Sequence, residues 1–265
     1  MTLVEPEMNN TARISIAILA FATLLWSQQP GYLTSEQTSS VVRIVLPAPT
    51  TGDARFQADM AIFHATRSYE GSARWTLAQA DDELSIAAVL HAFRCALGLT
   101  PTSENAPKLV ALISRAWSDA GAASNAIKIK YRHRRPFQVA EGDVCLSPQG
   151  KAALERSPDY PSGHATLSWE TALILAGLAP EVATDVLARA RAFGQSRVVC
   201  GVHNESAVEA GWMTATSVFA MQESSPEFHR DLDAARKEVA ALRAGAKSKP
   251  EGCDAEAETL SKSPY

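Results

Sequence analysis

The chain has 265 residues, a net charge of −4, 46% hydrophobic residues and 7% aromatic residues. That length suits one large domain or two small ones and buries a sizeable core. The negative balance argues against a general nucleic-acid binder, which needs an excess of Lys and Arg to neutralise phosphates. Sparse aromatics and abundant alanine favour helices over a β-sandwich.

Residues 1–27 read as a signal peptide or N-terminal anchor. Arg13 precedes the apolar run Ile14 to Trp26, and polar SQQPG follows. A run of about 13 residues is too short for a hydrocarbon core that needs about 20, but it suits the apolar region of an export signal. Four cysteines, Cys95, Cys145, Cys200 and Cys253, fit an exported protein with up to two disulfides, and spacing alone leaves all three pairings open. No C-x-x-C pair is present, which disfavours a cysteine-built zinc site.

Residues 28–54 read as an irregular mature N-terminus. Helical periodicity then dominates. Ala61, Ile62, Ala65 and Tyr69 form one stripe, and Ile86, Leu90 and Phe93 another within 84–97. A third helix is expected from Asn105-Ala106-Pro107, with Asn105 as N-cap, through Trp117 to about Lys130. The acidic run Asp81-Asp82-Glu83 reads as a helix N-terminal turn. The segment from Arg134 to Tyr160 reads as loop. Further helices are expected from Ser162 to Ala176, from Pro180 past Phe193, from a capping box at Ser206 to Glu209, and from Pro226 to Ala244. The tail 247–265 reads as disordered. The fold class is all-α: a single helical-bundle domain of eight or nine helices over 55–246.

Three segments carry chemistry. In Lys128 to Pro136 (KIKYRHRRP) two cations stand seven residues apart, on one face if the helix persists, and Pro136 forces Arg135 out of helical geometry. In Pro161-Ser162-Gly163-His164 a helix N-terminus presents unpaired N–H groups to an oxyanion; Ser162 adds a hydroxyl and Gly163 permits close approach. In SRVVCGVHNESA, Arg197 offers two parallel N–H donors to a phosphate, and His203 follows the Gly201 turn.

The ordered set K-x6-R-P, P-S-G-H and S-R-x5-H, with RRPF, SPDYPSGHATLSWETALILA, GQSRVVCGVH and HRDLDAARKEVAALRA around it, resembles the class A bacterial acid phosphatases. These belong to a superfamily that also holds type 2 phosphatidic acid phosphatases and vanadium haloperoxidases. The likeness spans roughly residues 55 to 245. It implies that His203 is the nucleophile forming a phosphohistidine and that His164 is the general acid, then base. It also implies that Lys128, Arg135 and Arg197 clamp the phosphate with Ser162 and the Gly163 N–H. Three cations supply positioning and charge without a metal or other cofactor.

The implied substrates are small phosphomonoesters (nucleotides, sugar phosphates, aryl phosphates), with phosphate transfer to alcohols in some relatives. The implied location is periplasmic or secreted, without stable membrane insertion once the signal is cleaved. The oligomeric state stays open, a homo-oligomer included. Histidine chemistry implies an acidic pH optimum.

One position departs from the pattern. The family continues S-R-x5-H-x3-D, and its aspartate orients the nucleophilic imidazole; here the residue is Ala207. An unsupported His203 would lose up to ~10⁴-fold in turnover, by analogy with orienting aspartates elsewhere. Glu205 and Glu209 are the neighbouring carboxylates that could substitute. The alternatives to a phosphatase are a vanadate-dependent haloperoxidase and a phosphoester-binding protein with little turnover. His133, in the basic segment, reads as a surface residue or a substrate contact.

Overall fold

A computed structural model describes residues 30–265; the expected export segment lies outside them. The described chain is all helical: α1 (Ser35–Ser40), α2 (Ala54–Thr66), α3 (Ala73–Ala80), α4 (Ile86–Ala92), α5 (Arg94–Leu97), α6 (Pro107–Tyr131), α7 (Pro148–Glu155), α8 (Gly163–Leu178), α9 (Ala183–Val199), α10 (Glu205–Gln222), α11 (Pro226–Gly245) and α12 (Cys253–Thr259). None of these helices is long and apolar enough to cross a membrane.

The long helices lie where apolar periodicity predicts them. The additional short ones fall in segments read as irregular. Within 28–54, α1 is closed by a capping box of Thr34 and Gln37. The loop 134–160 contains α7, N-capped by Ser147. The stripe over 84–97 breaks at Phe93 into α4 and α5. The tail expected to be disordered from residue 247 carries α12, which a disulfide from Cys253 to Cys95 ties to α5. Cross-linking residues 158 positions apart removes much of the freedom that a polar tail would otherwise keep.

Two expected caps are also reassigned. The N-cap of α6 is Ala106, not Asn105, whose side chain closes the preceding turn on Thr102 and Thr100. The first N–H groups of α6, on Lys108 and Leu109, are satisfied by the Glu238 carboxylate of α11. The Ser206 capping box does not form either. Asn204 is the N-cap of α10, while the Ser206 N–H and hydroxyl donate to buried Asp59 of α2 at 2.9 and 2.6 Å.

At the centre is α8, buried along most of its length and packed against α6, α9, α10 and α11. Leu109, Leu112, Ile113, Ile174, Leu175, Phe193 and Phe228 form the main core. A second cluster joins Ala120, Ala123 and Ile127 of α6 to Tyr160, Ala207 and Ala210. Close approach of α10 to the start of α8 depends on Gly211. A Cβ there would stand 2.8 Å from the Ser162 carbonyl oxygen and 2.9 Å from Ala165 Cβ. The obstacle is backbone, which cannot swing aside.

Gly211→Ala is therefore expected to destabilise the fold by about 1–3 kcal/mol through overpacking, although alanine is the better helix former. Thermal unfolding of the variant checks this; an unchanged or raised midpoint would contradict the packing argument.

Candidate active site

The loops at one end of the α6, α8, α9 and α10 bundle gather the candidate residues. Lys128 lies in the last turn of α6 and donates through Nζ to the Pro158 carbonyl oxygen. The helix does not carry on to Arg135 as a shared face would require. It ends at Tyr131, and Arg132 turns the chain with φ 45°. Arg135, held extended ahead of Pro136 at φ −73° and ψ 154°, reaches the site from the loop. Its guanidinium is buried and donates through Nε to the Ser157 carbonyl oxygen at 2.8 Å and through Nη1 to the Val202 carbonyl oxygen at 2.7 Å. Nη1 also stands 3.0 Å from His203 Nε2.

Ser162 is the N-cap of α8, and its hydroxyl oxygen accepts from the Ala165 N–H, leaving the hydroxyl proton available to a ligand. Its own N–H donates to the Ala207 carbonyl oxygen at 2.8 Å, so the backbone of α10 anchors this segment. Gly163 and His164 form the first turn of α8, where intrahelical partners for N–H groups are absent.

Arg197 is in the last turn of α9 and fully buried. Its Nη2 pairs with Asp82 Oδ1 at 2.7 Å, while Nε and Nη1 have no partner among the described residues. Buried guanidinium donors without acceptors are costly, and they are what an oxyanion would satisfy. Beyond Arg197, Gly201 turns the chain with φ +77°, and both Val202 N–H and His203 N–H return to the Arg197 carbonyl oxygen. A Cβ at Gly201 would stand 2.5 Å from Arg67 Nη1. Arg67 donates to the Val198 and Val199 carbonyl oxygens, a cation at the negative end of α9. The disulfide between Cys145 and Cys200 joins the same corner.

The structure brings the sequence-predicted residues into one neighbourhood. Arg135 depresses Lys128, Arg197 depresses Arg135, and Arg197, His203 and Arg135 all act on His164. Burial, then Arg135, lowers Lys128 to about 7. Burial and the charge of Arg197 lower Arg135 to about 10. His164 lies well below its ordinary value, chiefly through burial and then Arg197. Its Nε2–H donates to the Asp82 carbonyl oxygen at 2.9 Å, and its ring stacks toward Phe193.

His203 is buried, and its Nδ1 stands 2.8 Å from Asp159 Oδ1. Neither neighbouring glutamate holds it. Glu205 turns to the Tyr265 hydroxyl at the end of the chain, and Glu209 is exposed. Asp159 is wholly buried; its other oxygen meets His133 Nδ1 at 3.1 Å and accepts from Asn204 Nδ2 at 2.8 Å. Burial alone would raise this carboxyl, but the hydrogen bonds of His133 and His203 hold it well below the usual carboxylate range. His133 is thus half-buried, bonded to Asp159 rather than serving as a surface residue.

Two aspartates were also misplaced by sequence reasoning. Asp81 and Asp82 do not open a helix. Asp81 is buried, accepting from Arg189 Nη2 and the Ser196 hydroxyl, each at 2.6 Å. Asp82 covers both Arg197 and His164. Asp159, Asp82 and Asn204 carry no local spacing signal; Asp159 and His203 are 44 residues apart.

Residues 109–222 match the PAP2 superfamily model. The chain is 38% identical over 204 residues to an acid phosphatase of Zymomonas mobilis, covering 76% of this chain and 75% of that one. It is 33% identical over 213 residues to a non-specific acid phosphatase of Providencia stuartii, covering 80% and 86%. It is 30% identical over 223 residues to a non-specific acid phosphatase of Salmonella typhi, covering 84% and 88%. With the ordered motifs gathered at one end of an all-helical bundle, the chain belongs to the PAP2 superfamily and, within it, to the bacterial non-specific acid phosphatases.

Proposed function

We propose that this phosphomonoesterase works without a metal and passes its phosphoryl group through His203. The observation that carries the reading is the disposition of the His203 ring. Arg135 is always a donor, so its approach to Nε2 leaves a lone pair on that nitrogen and the ring proton on Nδ1, facing Asp159. Nε2 attacks phosphorus, the bond from phosphorus to the ester oxygen breaks, and the leaving oxygen takes a proton from His164. Water then attacks the phosphohistidine, the P–N bond breaks, and the water proton passes to His164. Lys128, Arg135 and Arg197, with Ser162 and the Gly163 N–H, hold the equatorial oxygens through both steps.

Acid conditions suit this arrangement. Burial, then Arg135, pushes His203 down to about 3, against the pull of Asp159. The nucleophile therefore stays unprotonated at pH 5, where an ordinary imidazole would be charged and unreactive. His164 has to gain its proton with substrate in place. A bound phosphate anion opposes the burial and the Arg197 charge that depress it in the free protein. The contact between Asp159 and Nδ1 favours turnover over mere phosphoester binding. Two disulfides agree with a periplasmic or secreted location. The substrates proposed are small phosphomonoesters, nucleotides and sugar phosphates among them.

Hydrolysis of p-nitrophenyl phosphate at acidic pH, undiminished by EDTA, tests the reading. His203→Ala should lose about 10³-fold or more in kcat, and an acid quench of the wild type should trap an acid-labile phosphoenzyme. Turnover abolished by EDTA, or retained by His203→Ala, would refute it.

The Lys128 ammonium is charged below about pH 7 and neutral above it. We therefore expect kcat/KM, which reports groups of the free enzyme, to fall as pH rises through about 7. Lys128→Arg should move that limb upward, because a guanidinium stays charged there. A limb unmoved by the substitution would assign it to another group.

Asp82 competes with substrate for Arg197. Asp82→Asn keeps the backbone carbonyl that meets His164 but removes the carboxylate, and should lower the inhibition constant for inorganic phosphate by about 3- to 10-fold. Titration of inhibition at fixed pH measures it; weaker phosphate inhibition would run against the argument.

A further inference from the structure

We propose that Asp159 is the positioning residue for the nucleophile, so that in this chain the carboxylate missing at position 207 is supplied from the loop leading into α8. The inference rests on the phosphohistidine reading and goes beyond it by naming the group that orients His203.

Four observations converge. First, Asp159 Oδ1 stands 2.8 Å from His203 Nδ1, the nitrogen opposite the one beside Arg135. With Arg135 donating to Nε2, only the tautomer with its proton on Nδ1 satisfies both neighbours. Second, the carboxylate is held at both oxygens. Oδ2 meets His133 Nδ1 and accepts from Asn204 Nδ2, Oδ1 is near the Asn204 N–H at 3.3 Å, and the Asp159 N–H donates to the His133 carbonyl oxygen at 2.8 Å. Such a carboxylate cannot rotate away from the imidazole. Third, Asp159 is wholly buried; a buried charge is tolerated only where partners compensate it, and here the partners are His203, the adjoining Asn204 and His133. Fourth, position 207 serves another purpose. Ala207 packs with Ala120, Ala123 and Tyr160, and its carbonyl oxygen anchors Ser162.

The relocation has a mechanical consequence. In the x3-D pattern, nucleophile and orienting carboxylate share one segment. Here Asp159 precedes Ser162 by three residues, so one loop sets both the direction of His203 and the start of the oxyanion cradle.

The test uses Asp159→Asn, Asp159→Ala, Ala207→Asp and the double variant Asp159→Ala/Ala207→Asp in the full chain. Each is measured for kcat and KM with p-nitrophenyl phosphate, for orthovanadate inhibition and for thermal unfolding. Asp159→Asn should lower kcat by about 10²- to 10⁴-fold, as loss of an orienting aspartate does in triads, with KM and vanadate affinity changed far less. The downfield Nδ1 proton resonance of His203, assigned by its absence in His203→Ala, should disappear in Asp159→Asn. Ala207→Asp alone should not raise turnover, because Nδ1 already has its acceptor. In the double variant the new carboxylate should recover part of the turnover lost in Asp159→Ala.

A folded Asp159→Asn protein whose kcat stays within about threefold of wild type overturns the proposal. So does retention of the resonance; if Asp159→Asn does not fold, the double variant decides by whether its turnover exceeds that of Asp159→Ala. Failure of the phosphohistidine reading looks different: wild type and His203→Ala would then share one level of activity.

Discussion

Lys128, Arg135 and Arg197 repel one another, and removing them from water adds a desolvation penalty to that repulsion. Gathering them at one end of a bundle is therefore the constraint around which the rest of the site is arranged. Asp159, wholly buried, lies within the field of both Lys128 and Arg135. Asp82 pairs with Arg197. Backbone carbonyl oxygens of Ser157, Pro158 and Val202 take up donors of Arg135 and Lys128. The residual imbalance is legible in the depressed Lys128 and Arg135 and in the two partnerless nitrogens of Arg197. It is an electrostatic cost that the free protein carries at this end of the bundle.

The scaffold meets that constraint with helix ends. Arg197 and His203 flank the turn after α9, Ser162 and His164 open α8, and Lys128 closes α6. Backbone hydrogen bonds tie this end together: Ser162 to Ala207, Asp159 to His133, and His203 back to Arg197. Arg67, stacked near Phe63 and Trp75, pins the end of α9 from α2. Gly211 and Gly201 leave the space that these approaches need. The long apolar helices thus act as a frame whose loops are not free to drift.

How much of this could be read beforehand follows from distance along the chain. Periodicity revealed the long helices because a buried stripe repeats within one helix, as in Leu109, Leu112 and Ile113. That Lys128, Arg135, Arg197 and the two histidines belong to one neighbourhood was legible because each motif concentrates its charged and polar residues in a short segment. Contacts between segments were not. The partner of Ser206 is Asp59, 147 residues away, so a sequence that matches a capping box forms something else. Asp81 and Asp82 look like a helix start, yet their partners Arg189 and Arg197 are over 100 residues on. The tail composition suggested disorder, but Cys253 supplied a covalent anchor that composition does not weigh.

Ala207 shows the same limit most clearly. Reading along the chain, one searches near the histidine for its missing acid and finds Glu205 and Glu209. Both lie on α10, and the direction of that helix is set by Asp59 holding Ser206 and by the packing of Gly211 on α8. Glu205 is thereby aimed at Tyr265, and burial raises it to about 7, so near neutral pH it is an uncertain anion at best. Asp159 is the better acceptor, because its hydrogen bonds and neighbouring charges hold it well below the usual carboxylate range. An orienting group has to stay charged while the imidazole it holds stays neutral. That demands downward pKa displacements on two touching side chains, which leave an imidazole neutral but a carboxyl ionised: His203 is pushed down by burial and Arg135, and Asp159 is held down by the donors around it. A carboxylate held by His133, His203 and Asn204 meets the demand, and a solvent-facing glutamate on α10 does not.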